Sequence, residues 1–535
     1  MPFSFCRAAI LVLLGMVSLT LPARAQFLDQ IGLTVLRNTT TNLNGAGVKV
    51  GQVEAASPSF EVSPSAVGQP TNLFTWIAQT VPPVPTNVSQ YFPAPLTANT
   101  FTNSLGTESD HADNVASNFF GMVFGVATNV AHVNNYDVYT FYYHYIFYNN
   151  TIAEHIVNQS FTFQVVDTNA DQTYDDYAAQ HNVLFVSGAG LNGQPVNSPA
   201  TCYNGIAVGV YNNFDSPHGP TPDGRSKPDI TAYGFPDSVT SYSTPLVSGA
   251  AAVLMQAGGR GDGGGGGVTN CAKDIRTLKA LLLDGAVKPA GWSNSPSAPL
   301  DVRYGAGVLN VYNSYVQLTG GRHAPVVSTS VATNDVHPPT GATGTISTLS
   351  GWDFNTNTSS STQDRVSHYY FNVTNGTGNF IATATLVWNR QSGNTDINNL
   401  DLFLYDCASS NLVMCSTSLV DNVEQVYVPN LPPGRYDLQA WKAGGDAGSG
   451  NVTNSEPYAL AWQFVPVPVL GLDVSTNFLL TWPVYPAGYV LSSATNLTAP
   501  VWSTNNLPIP TITNGLNRIQ VDATNEIQFF RLRSL

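Results

Sequence analysis

The order of apolar segments along the chain most constrains its fold. Between Val48 and about Gln317, short β-branched runs such as VKVGQV (48–53) and NGIAVGV (204–210) alternate with longer runs of helical character. Strands that alternate with helices predict an α/β domain with a mainly parallel sheet flanked by helices. After about His323 the apolar runs are all short and are separated by turn residues, which predicts all-β structure.

The chain of 535 residues is too long for one ordinary domain. The changes in its apolar pattern divide it into four predicted segments. A signal peptide over 1–25 precedes an α/β domain over 26–322. Two all-β domains follow: a β-barrel or jelly-roll domain over 323–465 and a small β module over 466–535.

The first 25 residues have the three parts of a secretory signal peptide. Arg7 supplies the positive charge, 8–21 is an apolar core that is short for a membrane span, and Ala23-Arg24-Ala25 is a cleavage site. No later stretch approaches about 20 continuous apolar residues. We therefore expect the mature protein to be secreted, periplasmic or at the cell surface, without a transmembrane anchor.

The charge of the chain argues against two classes of partner. Its net charge is -14 and only 10% of its residues are charged, so no basic stripe is available to neutralise phosphates. We therefore expect neither nucleic acid nor an anionic membrane surface as a partner.

Four cysteines remain once a signal peptide that contains Cys6 is removed, and an even number in an exported protein permits two disulfides. Cys407 and Cys415 bracket the short segment DCASSNLVMC and form the predicted pair. Cys202 and Cys271 then remain as a second pair. Metal binding is the alternative, but no second thiol or His stands at ligand spacing near any of them.

The stretch 240–255, TSYSTPLVSGAAAVLM, contains a candidate nucleophile, Ser241. A serine at a helix N-terminus gains a backbone N–H donor and the favourable end of the helix dipole. Pro245 is expected in the first turn of that helix, where a missing N–H costs nothing. A reactive serine also needs a base, usually a His held by a carboxylate, and donors for the oxyanion. Taken alone, the stretch equally fits a buried, capped helix.

Three further stretches favour the catalytic interpretation. Glu54 ends a predicted strand, where the active sites of open α/β sheets gather, and His111 in SDHADNVAS heads a predicted helix. Lys-Pro-Asp-Ile at 227–230 precedes the serine helix. Together with Thr-Ser at 240–241 and with Pro245, Val247 and Gly249, these motifs resemble the subtilisin-like serine peptidases (the subtilase family) over roughly residues 45–315.

The resemblance implies a catalytic site that hydrolyses protein or peptide substrates without a cofactor. His111 falls on the base that takes the proton of Ser241, and Glu54 stands where the family has Asp. Glu is one methylene longer than Asp but can still orient an imidazole, as in other hydrolases. Asp110 and Asp113, beside His111, are rival carboxylates. VNQS (157–160) resembles the strand that pairs with the substrate backbone, so Ser160 is a candidate substrate-binding residue.

The sequence departs from the family at two other places. The segment VSGAGLNG puts Leu191 where the family has the Asn that binds the oxyanion, and the loss of such a donor costs roughly 2.7–4 kcal/mol. A one-residue shift of this Gly-rich loop would bring Asn192 into that role, whereas the alternative is an ordinary turn residue. Val239 replaces the Gly before Thr-Ser, so the local turn is expected to differ.

The region after the predicted peptidase domain resembles the β-barrel domain that follows the catalytic domain in some alkaline subtilases. Asp396 and Asp401, with the two asparagines between them, are weak candidates for a structural calcium site. A polar turn is the alternative, and it is slightly favoured. The terminal module resembles β modules at the C-termini of exported bacterial proteins, for which surface or carbohydrate contact is an expectation.

The sequence thus predicts an exported serine endopeptidase that works through an acyl-enzyme and a Ser-His-Glu variant of the subtilisin triad. Two alternatives stay open. The first is a catalytically impaired pseudo-peptidase, with Glu54 and Leu191 as its altered positions, that acts as an extracellular binding or surface protein. The second is a sedolisin-like acid peptidase, which would need an Asp where Pro58 stands and would leave His111 unused.

Overall fold

A computed structural model of the chain describes residues 27–55, 88–91, 99–102, 110–121, 125–138, 141–264, 269–333, 343–374, 378–445, 452–474, 478–498, 500–504, 507–521 and 527–534. The predicted signal peptide lies outside the described residues. The helices are α1 (Leu33–Thr39), α2 (Asp110–Phe119), a π-helix (Phe141–Phe147), α3 (Thr168–His181), α4 (Thr240–Arg260), α5 (Thr269–Ala272), α6 (Ile275–Asp284) and α7 (Val311–Thr319).

The strands of the first half are β1 (Lys49–Glu54), β2 (Val88–Tyr91), β3 (Asn99–Thr102), β4 (His132–Asp137), β5 (Ile156–Gln159), β6 (Leu184–Gly188), β7 (Ile206–Val210) and β8 (Ile230–Ala232). Six of them form one sheet in the order β4-β1-β5-β6-β7-β8, and every pairing in it is parallel. The predicted α/β fold with a mainly parallel sheet is therefore confirmed.

Strands β5 to β8 are buried along their whole length, which explains the mainly apolar sequences of β6 and β7. Because all six strands are parallel, their carboxyl ends meet at one edge of the sheet. That edge carries Glu54 at the end of β1, Ser160 directly after β5 and Gly188 at the end of β6. It is the edge at which ligands bind in open parallel sheets.

Helix α4 lies through the core and is buried along most of its 21 residues. Small side chains let its neighbours approach closely: a Cβ placed on Gly249 would lie 2.5 Å from the Cβ of Val126. The helix continues to Arg260. Pro245 is the sixth residue of α4, and the expectation that it lies in the first turn is wrong.

The strands of the second half are β9 (Val327–Ala332), β10 (Ser350–Thr358), β11 (Gln363–Val373), β12 (Phe380–Trp388), β13 (Leu400–Asp406), β14 (Leu412–Ser416), β15 (Val423–Leu431), β16 (Gly434–Lys442) and β17 (Ser455–Pro466). They form two antiparallel sheets, in the orders β10-β17-β12-β15 and β14-β13-β16-β11-β9. Side chains from both sheets, including Phe371 and Trp462, share one hydrophobic cluster. The arrangement is a β-sandwich of two packed sheets: the region is all-β as predicted, but the predicted β-barrel is not confirmed.

The last strands are β18 (Gly471–Asp473), β19 (Phe478–Pro483), β20 (Tyr489–Ala494), β21 (Thr511–Thr513), β22 (Leu516–Val521) and β23 (Phe529–Ser534). They form a four-stranded sheet, β18-β19-β22-β21, and a separate pair, β20-β23. A small cluster that includes Leu480, Trp482 and Ile519 supports them. Two all-β regions therefore follow the α/β region, as the sequence predicts.

The α/β region and the sandwich are joined by a continuous apolar interface. Side chains of β12 and β17, among them Val387 and Ala459, belong to the same buried cluster as the core of the parallel sheet. At the end of α6, the buried Asp284 accepts hydrogen bonds from Thr385 of β12 (2.9 Å) and Gln317 of α7 (2.8 Å). The interface thus combines apolar packing with a buried polar contact.

The predicted disulfide between Cys407 and Cys415 is wrong for this structure, because both residues are free thiols. In the hairpin of β13 and β14, Cys415 pairs with Phe403, whereas Cys407 follows the end of β13. The partner of Tyr405 is Leu412, three residues before Cys415. Cys407 lies four residues beyond Phe403, the partner of Cys415, so at roughly 3.3 Å per residue the two cysteines are about 13 Å apart, beyond the reach of a disulfide. Cys202 and Cys271 are also unbonded.

Within the described part of the chain, no helix combines the length and the apolar character needed to cross a membrane.

Candidate active site

The centre of the candidate site is an ion pair between the end of β1 and the beginning of α2. The Nδ1 atom of His111 lies 2.7 Å from the Oε2 atom of Glu54. The Glu54 side chain is only 2% exposed, whereas 39% of the His111 side chain faces solvent. A buried carboxylate thus holds an imidazole whose other side is open, which is the arrangement that a general base requires.

The two side chains change each other's proton affinity. Burial raises the pKa of Glu54, and the charge and hydrogen bond of His111 offset part of this increase. Burial lowers the pKa of His111, but the charge and hydrogen bond of Glu54 outweigh it, so the pKa of His111 ends above its usual value. The pair therefore favours the state in which the imidazole carries a proton on Nδ1 and faces a carboxylate.

Gln52 ties this pair to the rest of the fold. Its Nε2 atom donates to Oε1 of Glu54 (3.3 Å) and to the backbone oxygen of Ala112 (2.9 Å). Gln52 therefore links the catalytic end of β1 to the first turn of α2. Gln52 was not predicted to take part, although its position two residues before Glu54 places both side chains on the same face of the strand.

Ser241 is the second residue of α4, and its backbone N–H is one of the N-terminal groups without a partner inside the helix. It lines a cavity of about 300 Å³ together with His111 and Glu54. Ser160, Phe161, Thr162 and Leu191 line other parts of the same cavity. The structure thus brings the predicted nucleophile, base and carboxylate to one cavity at the carboxyl edge of the sheet.

A chain of hydrogen bonds holds the beginning of α4. The Oγ of Ser160 donates to the backbone oxygen of Ser241 (2.9 Å) and accepts a hydrogen bond from Nδ2 of Asn158 (2.9 Å). The Oδ1 of Asn158 in turn accepts one from Ser248, one turn further along α4 than Pro245 (2.9 Å). Ser160 therefore fixes the peptide group of Ser241 as well as lining the cavity. Asn158 was not predicted to take part.

The structure does not bring Asn192 into the cavity. Its Nδ2 atom donates to the backbone oxygen of Ser238 (3.3 Å), so the shift that would make it an oxyanion donor does not occur here. Leu191 lines the cavity instead, with 53% of its surface exposed. The oxyanion side of the cavity therefore has an apolar side chain where the family has an amide.

The substitution of Val239 for Gly is accommodated without strain. Val239 precedes α4 with φ −127° and ψ 153°, an extended conformation that β-branched residues adopt readily. The neighbouring Thr240 fixes the entry to the helix because its hydroxyl donates to the backbone oxygen of Gly190 (2.7 Å). A Cβ on Gly188 would lie 3.0 Å from the hydroxyl oxygen of Thr240, so β6 and α4 meet closely beside Ser241.

The Lys-Pro-Asp-Ile motif has a structural role. Asp229 is buried between two amino groups, those of Lys227 (2.6 Å) and Lys279 (3.1 Å), and accepts a hydrogen bond from the backbone N–H of Ala207. Burial raises the pKa of Asp229, but the two lysines outweigh it, and the pKa ends below its usual value. The motif therefore secures β8 to β7 rather than contributing to the cavity.

The other predicted site residues are not brought to the cavity or cannot be placed. The side chains of Asp110 and Asp113, the rival carboxylates, lie outside the described part of the structure. Asp396 is exposed in the loop before β13, and Asp401 lies within that strand. Among the described residues, no three or more His, Cys, Asp or Glu side chains are grouped so that they could hold a metal ion. The calcium site at Asp396 and Asp401 stays a prediction.

Part of the chain is similar to a known protein family. Residues 103–307 match the family model described as "Subtilase family". A lanthipeptide protease structure matches with a TM-score of 0.34 and 17% identity, over 55% of this chain and 93% of that chain. A structure of tripeptidyl peptidase 2 matches with a TM-score of 0.31 and 11% identity, over 78% of this chain and 46% of that one, so about half of its length is covered. No curated protein matches the sequence.

Proposed function

Because residues 103–307 match the subtilase family model, we propose that the chain is an exported serine endopeptidase in which Ser241, His111 and Glu54 form the catalytic triad. The observation that carries the proposal is the contact of 2.7 Å between His111 and the buried Glu54, in the wall of the cavity that Ser241 also lines. Glu54 thereby takes the place of the aspartate usual in the family.

In the first step, the Oγ of Ser241 attacks the carbonyl carbon of the scissile peptide bond, and its proton passes to Nε2 of His111. The proton on Nδ1 of His111 stays in its hydrogen bond to Glu54, whose negative charge stabilises the imidazolium ion. The peptide oxygen becomes an oxyanion. The backbone N–H of Ser241, at the positive end of the dipole of α4, is the donor that the chain offers to it.

In the second step, the C–N bond breaks and the imidazolium ion gives its proton to the leaving amine, which departs. The acyl group stays on Ser241 as an ester. Water then attacks this ester while His111 takes a proton from the water, and the same imidazole returns that proton to the oxygen of Ser241 as the acid is released. The reaction needs no metal or organic cofactor.

Export rests on the sequence of the first 25 residues, which has the charge, apolar core and cleavage site of a signal peptide. The substrates are polypeptides. We propose that they are cleaved within the chain, in the cavity that Ser241, His111 and Glu54 line.

One observation favours a second candidate, an impaired peptidase that acts as a binding protein. Leu191 occupies the oxyanion side of the cavity, and the amide of Asn192 is engaged with Ser238. The loss of one oxyanion donor lowers a rate by about 100- to 1000-fold, so the chain would be slow or inactive rather than differently active.

Labelling with a fluorophosphonate probe distinguishes the two candidates. We expect the probe to label the purified mature protein at pH 8. Labelling should disappear in the Ser241→Ala variant and weaken in the Glu54→Ala variant. At pH 5, where the His111 base is protonated, little labelling is expected. A folded protein without labelling at either pH would favour the binding protein. Labelling at pH 5 but not at pH 8 would favour an acid peptidase.

A further inference from the structure

A buried amide lies beside the proposed ion pair, and the mechanism above does not use it. Gln52 is 1% exposed and belongs to β1, an inner strand that pairs with β4 and β5. Its Nε2 atom donates to Oε1 of Glu54 (3.3 Å) and to the backbone oxygen of Ala112 (2.9 Å), the residue that follows His111. Both hydrogen bonds of this nitrogen therefore lead to the two partners of the ion pair.

The oxygen of the same amide is not matched by a donor. The Oε1 atom of Gln52 is buried and accepts no hydrogen bond within the part of the chain that the structure describes. A buried amide oxygen without a donor lowers stability, and an apolar side chain of similar size would avoid this loss. Natural proteins keep such unfavourable groups mainly at functional sites. The advantage of Gln52 must therefore lie in the two contacts of its nitrogen.

The carboxylate of Glu54 depends on Gln52 for its second oxygen. The Oε2 atom of Glu54 contacts Nδ1 of His111, and Gln52 is the other hydrogen-bond partner that Glu54 has among the described residues. Because Glu54 is 1% exposed, water cannot take the place of this donor. The side chain of glutamate has one more rotatable bond than that of aspartate, so more freedom is lost when its carboxylate is fixed. A second contact on that carboxylate opposes this freedom.

A second amide, on the neighbouring strand, supports the other half of the proposed triad in the same way. Asn158 of β5 is the register partner of Gln52. Each of the two amides donates to the side chain two positions further along its own strand, which is Glu54 or Ser160. Gln52 also bonds to α2, the helix of the proposed base, and Asn158 also bonds to α4, the helix of the proposed nucleophile. Two neighbouring amides thus hold the two helices that supply the triad.

We propose that Gln52 is a positioning residue of the proposed peptidase: its amide holds the carboxylate of Glu54 toward His111 and fixes the first turn of α2 beside it. The inference rests on the proposed function. It also explains how glutamate can stand where the family has aspartate, because the longer side chain is held at its second oxygen. Gln52 is not one of the described residues that line the cavity, so it acts through Glu54 and not on the substrate.

The test measures cleavage of a short peptide by the full mature chain and by its Gln52→Met variant, which keeps the length of the side chain and removes the donor. The matched control is Gln317→Met in α7. Gln317 is also fully buried, and its Nε2 atom donates to the buried carboxylate of Asp284 (2.8 Å). Its Oε1 atom, like that of Gln52, has no partner among the described residues. The control therefore removes the same kind of contact away from the cavity.

We expect kcat to fall by about 10-fold in the Gln52→Met variant with KM unchanged, and neither to change in the Gln317→Met variant. This is the lower end of what a hydrogen bond to a charged group contributes, because the contact of 3.3 Å is long. In the Glu54→Ala background, Gln52→Met should have no further effect. An unchanged kcat in a folded Gln52→Met variant would overturn the proposal. So would losses that add up in the double variant, or an equal loss in Gln317→Met.

NMR of the imidazole tests the same contact without any cleavage. In the Ser241→Ala background, Gln52→Met should lower the pKa of His111 toward its value in the Glu54→Gln variant, and the proton on Nδ1 should exchange faster with water. These changes would support the proposal even if the fluorophosphonate labels no form of the chain and the proposed function fails. An unchanged His111 would overturn it even if the chain is an active peptidase. Gln52→Leu replaces Gln52→Met if urea unfolding shows that the latter is misfolded.

Discussion

Pro245 follows Ser241 by four residues in the same helix, and it has no N–H to donate to the backbone oxygen of Ser241. The hydroxyl of Ser160 donates to that oxygen instead, at 2.9 Å. A residue from the end of β5 therefore supplies the hydrogen bond that the helix itself cannot make. This contact fixes the peptide group whose side chain is the proposed nucleophile.

Ser160→Ala is expected to lower kcat by about 2- to 12-fold with little change in KM for a short peptide, since one hydrogen bond contributes roughly 0.5–1.5 kcal/mol. Pro245→Ala restores an N–H four residues after Ser241. In the Pro245→Ala background, Ser160→Ala should therefore cost less. A double-mutant cycle on kcat measures the coupling. If the two changes are additive, the hydroxyl of Ser160 does not act through the oxygen of Ser241.

The sequence predicted more of the sheet than of the contacts around Ser241. The buried strands β6 and β7 are short apolar runs bounded by turn residues, so their alternation with helices is visible without a structure. The bond from Ser160 to Ser241 joins residues 81 positions apart, and Gln52 reaches Ala112 across 60. Such contacts depend on how the strands and helices pack, which local sequence patterns do not specify.

Two other predictions depended on details that residue types do not determine. The separation of Cys407 from Cys415 follows from the register of one hairpin, and a different turn would have changed it. The start of α4 at Thr240 places Pro245 in the second turn, because Val239 is extended and a cap side chain is lacking there. Helix boundaries are set by such local geometry to within a residue or two.

The pH dependence of the proposed reaction should follow the titration of His111. The base must be neutral to accept a proton, so activity should rise with pH through the pKa of His111. Burial lowers that pKa and Glu54 raises it by a larger amount, so the midpoint should lie above the usual value of about 6.5. The measurement is kcat/KM for a short peptide between pH 5 and pH 9.

Glu54→Gln tests the origin of this midpoint. Without the negative charge, the pKa of His111 should fall, and the rate should drop by about 10⁴-fold, as when the carboxylate of such a triad becomes an amide. NMR titration of the imidazole in Ser241→Ala, with and without Glu54→Gln, follows the pKa independently of activity. An unchanged pKa of His111 in the Glu54→Gln variant would mean that the Glu54 carboxylate does not raise it.

Leu191→Asn should increase activity, because it places an amide donor on the oxyanion side of the cavity. An oxyanion donor contributes about 100- to 1000-fold to a rate, and we expect at least about 10-fold of it in kcat. Leu191→Ala is the control, since it removes the same apolar side chain without adding a donor. Equal rates for the two variants would show that steric relief, and not hydrogen bonding, limits the reaction.

Thr385→Val tests whether the sandwich stabilises the α/β region through their polar contact. The hydroxyl of Thr385 donates to Oδ1 of Asp284 (2.9 Å) and accepts a hydrogen bond from Gln425 (2.8 Å). Asp284 is fully buried, and burial raises its pKa, so the loss of a donor leaves an acceptor that water cannot reach. We expect the free energy of unfolding to fall by about 1–3 kcal/mol.

Thr385→Ser keeps the hydroxyl and removes only a methyl group, so it should retain most of that stability. Urea unfolding, followed both by tryptophan fluorescence and by loss of fluorophosphonate labelling, shows which part of the chain is affected. Asp284 ends α6, which packs against β12 and β17. In the Thr385→Val variant, the unfolding midpoints that the two probes report should therefore shift together to a lower urea concentration. A shift in fluorescence alone would mean that the sandwich unfolds separately and that this contact does not support the active site.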